Sequence, residues 1–370
     1  MGRYLLLAVL TFAPLLATGQ QPTLKQAYDG CFWVGAALNS DQFTGKDTKE
    51  AAIIKEQFSS ISPENDLKWG PIHPQPHTYN FGPADAYVNF GQRNHMFIVG
   101  HTLVWHSQTP KWVFEGKDGK PATRKQLLKR MRDHINKVVG RYKGRVNGWD
   151  VVNEALDEDG TLRLSPWLNI IGPDYIEKAF EYAHKADPKA QLYYNDYNLE
   201  NEPKRKGALE LIGKLKSKGI PVTGVGLQDH LSLEWPTAEQ LNATIGAFGK
   251  LDVKVMITEL DLDVLPSPFQ DPTADVSLKV ASNPKYNPYA NGLPETVQQQ
   301  ITSRWADLFH IYSSYCGVVT RVTLWGVSDK DSWKNDWPIR GRTNFPLLFD
   351  RNSEAKPAVA AVIEVAPKKQ

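Results

Sequence analysis

The sequence has no excess of charge of either sign. Its 370 residues include 43 Lys and Arg against 41 Asp and Glu, for a formal net charge of +2. A protein that binds nucleic acid or an anionic membrane surface would need clustered basic charge. The composition therefore favours neither of these partners, and a neutral partner fits it better.

Long apolar runs are scarce, and after the first twenty residues none reaches the length of a membrane span. Arg3 precedes an apolar run over residues 4–16, and Ala17 and Gly19 lie three residues and one residue before Gln20. This pattern predicts a secretory signal peptide over residues 1–19 and export to the periplasm or the medium. The run is shorter than the roughly 20 residues of a membrane span. We expect one domain over residues 20–370, no membrane span and a monomer.

Cysteine is scarce, with only Cys31 and Cys316 in the chain. Neither lies in a CxxC or a metal-ligand spacing, and we predict no metal and no cofactor. Export permits a disulfide between them, and they precede the first and last predicted strands, which are neighbours in a closed barrel. Two buried free thiols remain the alternative at this point.

Internal repeats and low-complexity tracts are also absent, and strand-like runs alternate with helical patterns instead. Strands are predicted at 32–37, 59–62, 97–100, 146–152, 191–194, 224–227, 255–258 and 321–324. Helices are predicted at 125–139, 175–185, 204–217, 237–248, 295–315 and 356–365. Eight strands alternating with helices predict the α/β class and a single (β/α)8 TIM barrel. Residues 266–294 are rich in Pro and Asn and predict a long loop after the seventh strand.

Tryptophan is abundant by contrast, with eleven residues. Indole faces suit the C–H faces of sugar rings, but tryptophan is also ordinary core material. We interpret Trp69, Trp149 and Trp167 as packing residues.

Two glutamates end apolar, β-branched strand patterns. Glu154 follows the predicted fourth strand, and Glu259 follows the predicted seventh. The carboxyl ends of barrel strands are where a barrel presents its active site, so the two side chains are expected to face across one cleft. Paired carboxylates are the groups that glycoside hydrolysis requires.

Other polar residues lie at the same ends of the predicted strands, whereas purely structural residues would scatter over both ends. Five motifs follow one another there. They are Pro63-Glu-Asn-Asp-Leu-Lys-Trp69, Gly100-His-Thr-Leu-Val-Trp-His106, Trp149-Asp-Val-Val-Asn-Glu-Ala155, Ile257-Thr-Glu-Leu-Asp261 and Leu324-Trp-Gly-Val-Ser-Asp329. With these motifs, the chain from about residue 23 onward resembles the family 10 glycoside hydrolases, the endo-β-1,4-xylanases.

The resemblance implies unequal roles for the two glutamates in a retaining reaction. Glu154 would be the general acid and base, and Glu259 the nucleophile. His230 and Asp261 would hold Glu259 in place, since residues two apart on a strand point to the same side. Asn153 would donate to the sugar 2-hydroxyl. Glu154 must begin protonated and Glu259 ionised, so their surroundings should separate the two pKa values.

The resemblance also implies the residues that bind sugar. Those for the second sugar on the glycone side would be Glu64, Asn65 and Lys68. Those around the first sugar would be His101, Trp105, Gln228, Trp325 and Trp333. Tyr197 is expected to stack on the aglycone side. Because Trp325 and Trp333 would crowd the hydroxymethyl group of glucose, the implied partners are xylan and xylo-oligosaccharides.

Two alternatives remain open at this stage. Another retaining β-1,4-glycanase on the same barrel would share both glutamates, although the cluster of Glu64, Asn65 and Lys68 argues against it. A catalytically inactive barrel would bind xylan without cleaving it. The intact pair of Glu154 and Glu259 argues against that, because a binding protein has no need of two carboxylates at the scissile bond.

Overall fold

A closed parallel barrel forms the centre of the molecule. The computed structural model describes residues 21–116 and 118–368. Within them the strands are β1 (Trp33–Leu38), β2 (Ser60–Pro63), β3 (Phe97–Trp105), β4 (Gly148–Asn153), β5 (Gln191–Asp196), β6 (Gly224–Leu227), β7 (His230–Ser232), β8 (Lys254–Asp263) and β9 (Val319–Leu324). The order is β6-β5-β4-β3-β2-β1-β9-β8-β7, and pairing of β6 with β8 closes the ring. The predicted (β/α)8 barrel is therefore confirmed.

Helices connect the strands and surround the barrel. They are α1 (Leu24–Ala27), α2 (Ser40–Thr44), α3 (Thr48–Gln57), α4 (Trp69–Ile72), α5 (Gly82–Arg93), α6 (Arg124–Arg141), α7 (Pro166–Ile171), α8 (Tyr175–Ala186), α9 (Glu202–Ser217), α10 (Ala238–Gly249), α11 (Glu295–Ser313) and α12 (Pro357–Glu364). Short 3-10 turns occupy Lys111–Val113, Pro284–Tyr286, Asp329–Asp331 and Trp333–Asn335. All six predicted helices are present to within two residues at each end, and 266–294 is a loop that contains one of these turns.

Local sequence explains the helices that were predicted well. Thr123 and Gln126 form a capping box at the start of α6, with each side chain accepting from the other residue's backbone N–H. The buried residues Leu127, Met131 and Ile135 recur at helical spacing and lie on one face. This face turns inward, and α6 packs beside α8.

The predicted sixth strand, 224–227, is confirmed as β6, but a second short strand that was not predicted, β7, follows it after an interruption. β6 and β7 both pair in parallel with β8. β6 pairs with the first half of β8, and β7 pairs with the second half of β8. Asp229 lies between them with a φ of 56°, a left-handed conformation that ends regular pairing. The interruption turns Gln228 and His230 toward the mouth of the barrel.

The interior of the barrel is closely packed. Every residue of β4 is buried, as expected for a parallel strand covered on both faces. Gly100 in β3 is required there, because a Cβ atom at this position would lie 2.1 Å from the indole of Trp149. Trp69, Trp149 and Trp167 are all at most 2% exposed, which confirms that they are packing residues.

Cys31 and Cys316 form a disulfide, with their Cα atoms 4.8 Å apart. They precede β1 and β9, which pair directly through Trp33 and Arg321. The bridge therefore joins the first and last strands at the amino-terminal end of the barrel. The sequence left open a disulfide or two buried free thiols, and the structure contains the disulfide.

Two further sequence predictions concern the ends of the chain and membranes. The predicted signal peptide, residues 1–19, lies outside the described residues, so the boundary at residue 20 stays a prediction. Among the described helices, none combines the length and the apolar character that crossing a membrane would take.

Candidate active site

A cleft of about 260 Å³ opens at the carboxyl ends of the strands. Glu154 and Glu259 both line it, so the structure brings the two carboxylates together. Most of the predicted site residues line the same cleft. They are Glu64, Asn65, Lys68, His101, Trp105, Asn153, Glu154, Gln228, His230, Glu259, Trp325 and Trp333. Asp261 lies behind His230, and Tyr197 is outside the cleft lining.

Glu154 is buried and receives hydrogen bonds at both carboxylate oxygens. Trp105 Nε1 donates to Oε2 at 2.8 Å, and Gln228 Nε2 donates to Oε1 at 3.1 Å. Burial raises the pKa of Glu154, and the charge of Glu259 adds to the increase. The hydrogen bonds from Gln228 and Trp105 lower the pKa of Glu154, but this pKa remains above its usual value. This environment favours a protonated Glu154.

The backbone around Glu154 is held in an unusual conformation. Its φ is 55°, a left-handed conformation that non-glycine residues seldom adopt. The Glu154 N–H donates to the Asn195 carbonyl at 2.9 Å, and its carbonyl accepts from Arg163 Nε at 3.0 Å. These two bonds fix the direction in which the carboxyl group points.

Glu259 is equally buried, but its surroundings favour the ionised form. Asn195 Nδ2 donates to Oε1 at 2.8 Å, and His230 Nε2 lies 3.3 Å from Oε2. Burial alone would raise the pKa of Glu259. The hydrogen bond and charge of His230, the charge of His101 and the bond from Asn195 outweigh burial, so the pKa lies below its usual value.

His230 is held between two carboxylates. Its Nδ1 lies 3.1 Å from Asp261 Oδ1, on the side opposite Glu259. Burial lowers the pKa of His230, but Asp261 and Glu259 outweigh it and raise the pKa to about 9. Asp261 is itself fixed by Trp333, whose Nε1 donates to Oδ2 at 2.7 Å. A cationic imidazole is therefore maintained beside Glu259 at neutral pH.

Replacing His230 with glutamine is expected to move the acidic limb of the kcat/KM–pH profile to higher pH. The imidazolium lowers the pKa of Glu259, so its loss raises that pKa and Glu259 becomes protonated at a higher pH. A shift of about one pH unit or more is expected. His310→Gln, on the exposed surface of α11, is the matched control. An unchanged acidic limb in His230→Gln would contradict this account.

Side-chain amides connect the two glutamates. Asn195 Nδ2 donates to Asn153 Oδ1 at 2.9 Å as well as to Glu259, and Gln228 Nε2 donates to Asn153 Oδ1 at 3.2 Å as well as to Glu154. Thr258 Oγ1 donates to Asn195 Oδ1 at 2.6 Å, which fixes the orientation of the Asn195 amide. The separation of the two carboxyl groups is thus set by hydrogen-bonded groups on β4, β5 and the end of β6.

A buried lysine lies at one wall of the cleft. Lys68 Nζ donates to Asn65 Oδ1 at 2.9 Å and lies 5.2 Å from the centre of the Trp105 ring. Burial lowers the pKa of Lys68, and the charges of Glu259, Glu64 and Glu154 oppose that decrease. Its position gives a hydrogen-bond donor close to the carboxylates.

Aromatic rings form the wall near β9. Trp325 packs edge-on against His101, with ring centres 5.3 Å apart, and His101 Nδ1 lies 2.9 Å from Asp150 Oδ2. Trp333 stacks on Trp337 at 4.7 Å. Each ring is held by a second group, so this wall of the cleft is rigid.

The structure does not favour the predicted stacking role of Tyr197. The side chain is only 3% exposed, and its hydroxyl accepts a hydrogen bond from Arg163 Nη2 at 2.9 Å. The ammonium group of Lys204 lies 3.6 Å from the ring centre and covers one face. A ring buried in this way offers no open face to a sugar, so Tyr197 supports the site from beneath.

Several residues of the site are not among those predicted from the sequence. One of them is Asn195, which contacts both Asn153 and Glu259. Gln108, Ala274 and Val276 also line the cleft. The position of Asn195 at the tip of β5 was a usable signal. Ala274 and Val276 lie in an irregular loop, and no pattern in the sequence pointed to them.

An acidic group lies away from this cleft. Carboxylate oxygens of Asp47, Glu50 and Asp331 lie within 4.8 Å of one another. Lys330 Nζ already lies 2.5 Å from Asp47 and 3.4 Å from Glu50. The lysine ammonium therefore supplies the positive charge that this group needs.

Known proteins with similar sequences align with nearly the whole length of this chain. Endo-1,4-beta-xylanase A of Xylanibacter ruminicola is 44% identical over 357 residues, which covers 96% of this chain and 97% of that protein. Beta-1,4-xylanase of Dictyoglomus thermophilum is 42% identical and covers 97% of each chain. A family 10 endoxylanase structure from a sugarcane soil metagenome superposes with a TM-score of 0.90 at 45% identity, over 92% of this chain and 99% of that one.

The sequence model of glycosyl hydrolase family 10 matches residues 23–365. That range includes the barrel, the cleft and both glutamates. The motifs that carried the resemblance in the sequence lie within it, at the strand ends where the structure assembles the cleft. The chain therefore belongs to glycosyl hydrolase family 10.

Proposed function

We propose that this protein is an exported endo-1,4-β-xylanase that cleaves internal bonds of xylan with retention of configuration. The observation that carries the proposal is the pair of buried glutamates in one cleft, with Glu154 bound by Trp105 and Gln228 and Glu259 bound by Asn195 and next to His230. These surroundings raise the pKa of Glu154 and lower that of Glu259. Retention needs one carboxyl group that donates a proton and one that attacks as an anion. The names of two family members that are similar to this chain support xylan as the substrate.

In the first step, a Glu259 oxygen forms a bond to the anomeric carbon while the glycosidic C–O bond breaks. Glu154 gives its proton to the leaving oxygen, so the aglycone departs as a free hydroxyl. The imidazolium of His230 keeps Glu259 ionised until it attacks. The sugar is then an ester of Glu259, and Glu154 is a carboxylate.

In the second step, Glu154 takes a proton from water as the water oxygen attacks the anomeric carbon. The ester bond to Glu259 breaks, which restores both carboxyl groups to their starting states. The change in Glu154 follows from electrostatics, because the charge of Glu259 that helped to raise its pKa is absent in the ester. Two displacements on opposite faces give net retention.

The proposed preference for xylose rests on the rigid wall formed by Trp325 and Trp333. A pocket that depends on shape alone discriminates only modestly against one extra group. The hydrogen-bonding side chains of Asn65 and Lys68 would reject a sugar that lacks one of their hydroxyl partners, but xylose and glucose both carry these hydroxyls. We therefore expect a preference for xylan, with weaker action on glucose-based substrates.

The proposed export is supported by the disulfide. Structural disulfides are typical of proteins outside the reducing cytoplasm, and the bridge between Cys31 and Cys316 closes the barrel. The pattern of residues 1–19 is the second support. The mature chain would begin at Gln20, and this form would act on the polysaccharide.

The test is to express the full chain in a bacterial host and assay the exported fraction on xylan and on carboxymethylcellulose. We expect reducing ends to appear from xylan with a rapid fall in viscosity, since internal bonds are cut, and an amino terminus at Gln20 by mass spectrometry. Glu259→Ala is the matched inactive control. Absence of release from xylan, or faster release from carboxymethylcellulose, would overturn the proposed substrate.

A further inference from the structure

Two carboxyl groups lie buried behind the cleft, and the proposed reaction does not use them. Asp229 joins β6 to β7, and Glu200 lies between β5 and α9. Each residue is 1% exposed, and their side chains are in hydrogen-bond contact. Two adjacent carboxylates that are shielded from water cannot both be ionised. One of them is therefore protonated and donates its hydrogen to the other, and we call the two groups the carboxyl pair.

A tyrosine holds one end of the carboxyl pair. Tyr312 of α11 is fully buried, and its hydroxyl donates to Asp229 Oδ2 at 2.6 Å. The other oxygen, Oδ1, is buried and receives no bond from an N–H or hydroxyl donor among the described residues. A buried oxygen without a donor is destabilising, and the proton shared with Glu200 supplies the missing bond. Asp229 is therefore held at both of its oxygens.

Basic side chains on the surrounding helices face the carboxyl pair. Arg205 of α9 donates from Nη1 to the Glu200 carbonyl at 3.0 Å and to Thr244 Oγ1 of α10 at 3.1 Å. The charge of Arg304, on α11, acts on Asp229. The pair keeps one negative charge after it shares a proton, and the two arginines balance that charge. Three helices outside the barrel thus hold the pair in place.

The backbone at the carboxyl pair is bonded to the strand that carries the nucleophile. The Gln228 carbonyl accepts from the Glu259 N–H at 3.0 Å. The Asp229 carbonyl accepts from the Asp261 N–H at 3.3 Å. Asp229 has a φ of 56°, a left-handed conformation that needs support in a residue other than glycine. The bonds to its side chain supply this support from the side of the helices.

The two neighbours of Asp229 each contact one of the catalytic glutamates. Gln228 Nε2 donates to Glu154 Oε1 at 3.1 Å. His230 Nε2 lies 3.3 Å from Glu259 Oε2. Because Asp229 lies between these two residues, a rotation of its backbone would move both side chains at once. The conformation of Asp229 therefore controls the surroundings of both glutamates.

We propose that Asp229 and Glu200 are positioning residues for the reaction. The proton that they share holds the backbone between β6 and β7, and this backbone directs one side chain toward each catalytic glutamate. Neither carboxyl group lines the cleft, so both act through other residues. The inference rests on the proposed xylanase function, because that function gives the two glutamates their roles.

Asp229→Ala removes the anchor and leaves every residue that lines the cleft unchanged. The bond from Gln228 lowers the pKa of Glu154. The bond and charge of His230 lower the pKa of Glu259. Displacement of both side chains should therefore move both limbs of the kcat/KM–pH profile on xylotetraose to higher pH, by about 0.5 unit or more. We also expect kcat at the native optimum to fall about tenfold or more.

Two further variants separate positioning from a general loss of the fold, which would lower activity at every pH without moving the limbs. Asp252 also has a left-handed backbone, with a φ of 53°, but it is exposed, so Asp252→Ala should move neither limb. Asp229→Asn keeps the size of the side chain and tolerates the same φ. Its amide accepts from Tyr312 and donates to Glu200 without a shared proton. We expect it to restore most of the activity and the native pH profile.

Tyr312→Phe keeps the ring and removes one hydrogen bond to Asp229. It should move both limbs in the same direction as Asp229→Ala by a smaller amount, and it tests the proposal even where Asp229→Ala does not fold. Unmoved limbs in either folded variant, or an Asp229→Asn protein as impaired as Asp229→Ala, would overturn the positioning role. Inactivity of the native protein on xylotetraose would instead overturn the proposed function.

Discussion

Replacing Glu259 with alanine is expected to lower kcat on xylan by about 10⁴- to 10⁶-fold, the range seen when a covalent nucleophile is removed. Without the carboxylate, nothing in the cleft attacks the anomeric carbon from the face opposite the leaving group. The sugar-binding walls are unchanged, so binding of xylo-oligosaccharides should persist. Initial rates and equilibrium titration of the same preparation measure the two effects, and Glu259→Gln is the variant closest in shape.

Azide distinguishes a lost nucleophile from a damaged site. In Glu259→Ala, an azide ion fits the space left by the carboxylate and attacks an activated aryl xylobioside directly. One displacement gives the α-glycosyl azide, with inversion. Recovery of only the β-azide, or retention of more than a small part of the native activity, would show that Glu259 is not the nucleophile.

Replacing Glu154 with alanine is expected to have an effect that depends on the leaving group. Xylan has a poor leaving group that needs protonation, so its kcat/KM should fall by about 10²- to 10⁴-fold, as is usual for loss of a general acid. An aryl xylobioside with an acidic phenol needs little protonation, so Glu259 should still attack it. The second step lacks its base, and a rapid burst of phenol followed by slow turnover is expected.

The pH profile and azide provide the controls for Glu154. Burial raises the pKa of Glu154, and the native enzyme loses activity as pH rises through it, because the acid form is consumed. In Glu154→Ala this alkaline limb should disappear for the aryl substrate. Azide should attack the ester of Glu259 and give the β-azide, since two displacements occur. Equal losses on xylan and on the aryl substrate would argue against Glu154 as the acid.

The barrel was predictable because short strand-like runs, most of them buried, alternate with helical patterns along the chain. The interruption between β6 and β7 was not, since it depends on the left-handed backbone of Asp229, and aspartate adopts many conformations. The two glutamates and His230 were predictable because they end apolar runs or belong to specific motifs. A retaining reaction requires a protonated Glu154 and an ionised Glu259. The structure shows the burial, hydrogen bonds and charges that move the two pKa values apart.

The remaining residues of the site depend on contacts between distant parts of the chain. Arg163 contacts Glu154 through the backbone carbonyl, and a bond of this kind leaves no signature in side-chain patterns. The cleft-lining part of the long loop, residues 272–276, has an irregular sequence, and its course is set by hydrogen bonds from Asn198 and Trp337, which lie far away along the chain. Tyr197 was expected to stack on a sugar, because nothing in the sequence around it indicates that Lys204 covers its ring.

The bridge between Cys31 and Cys316 has a consequence for proteolysis of the folded chain. Eight of the nine strands, β1 to β8, lie within the covalent circle that it closes, and β9 follows Cys316. A protease that cuts one peptide bond anywhere in that circle, such as in the long loop of residues 266–294, opens the circle but releases no strand. Two cuts within the circle are required before any of these eight strands can leave, so the first cut there does not release either glutamate.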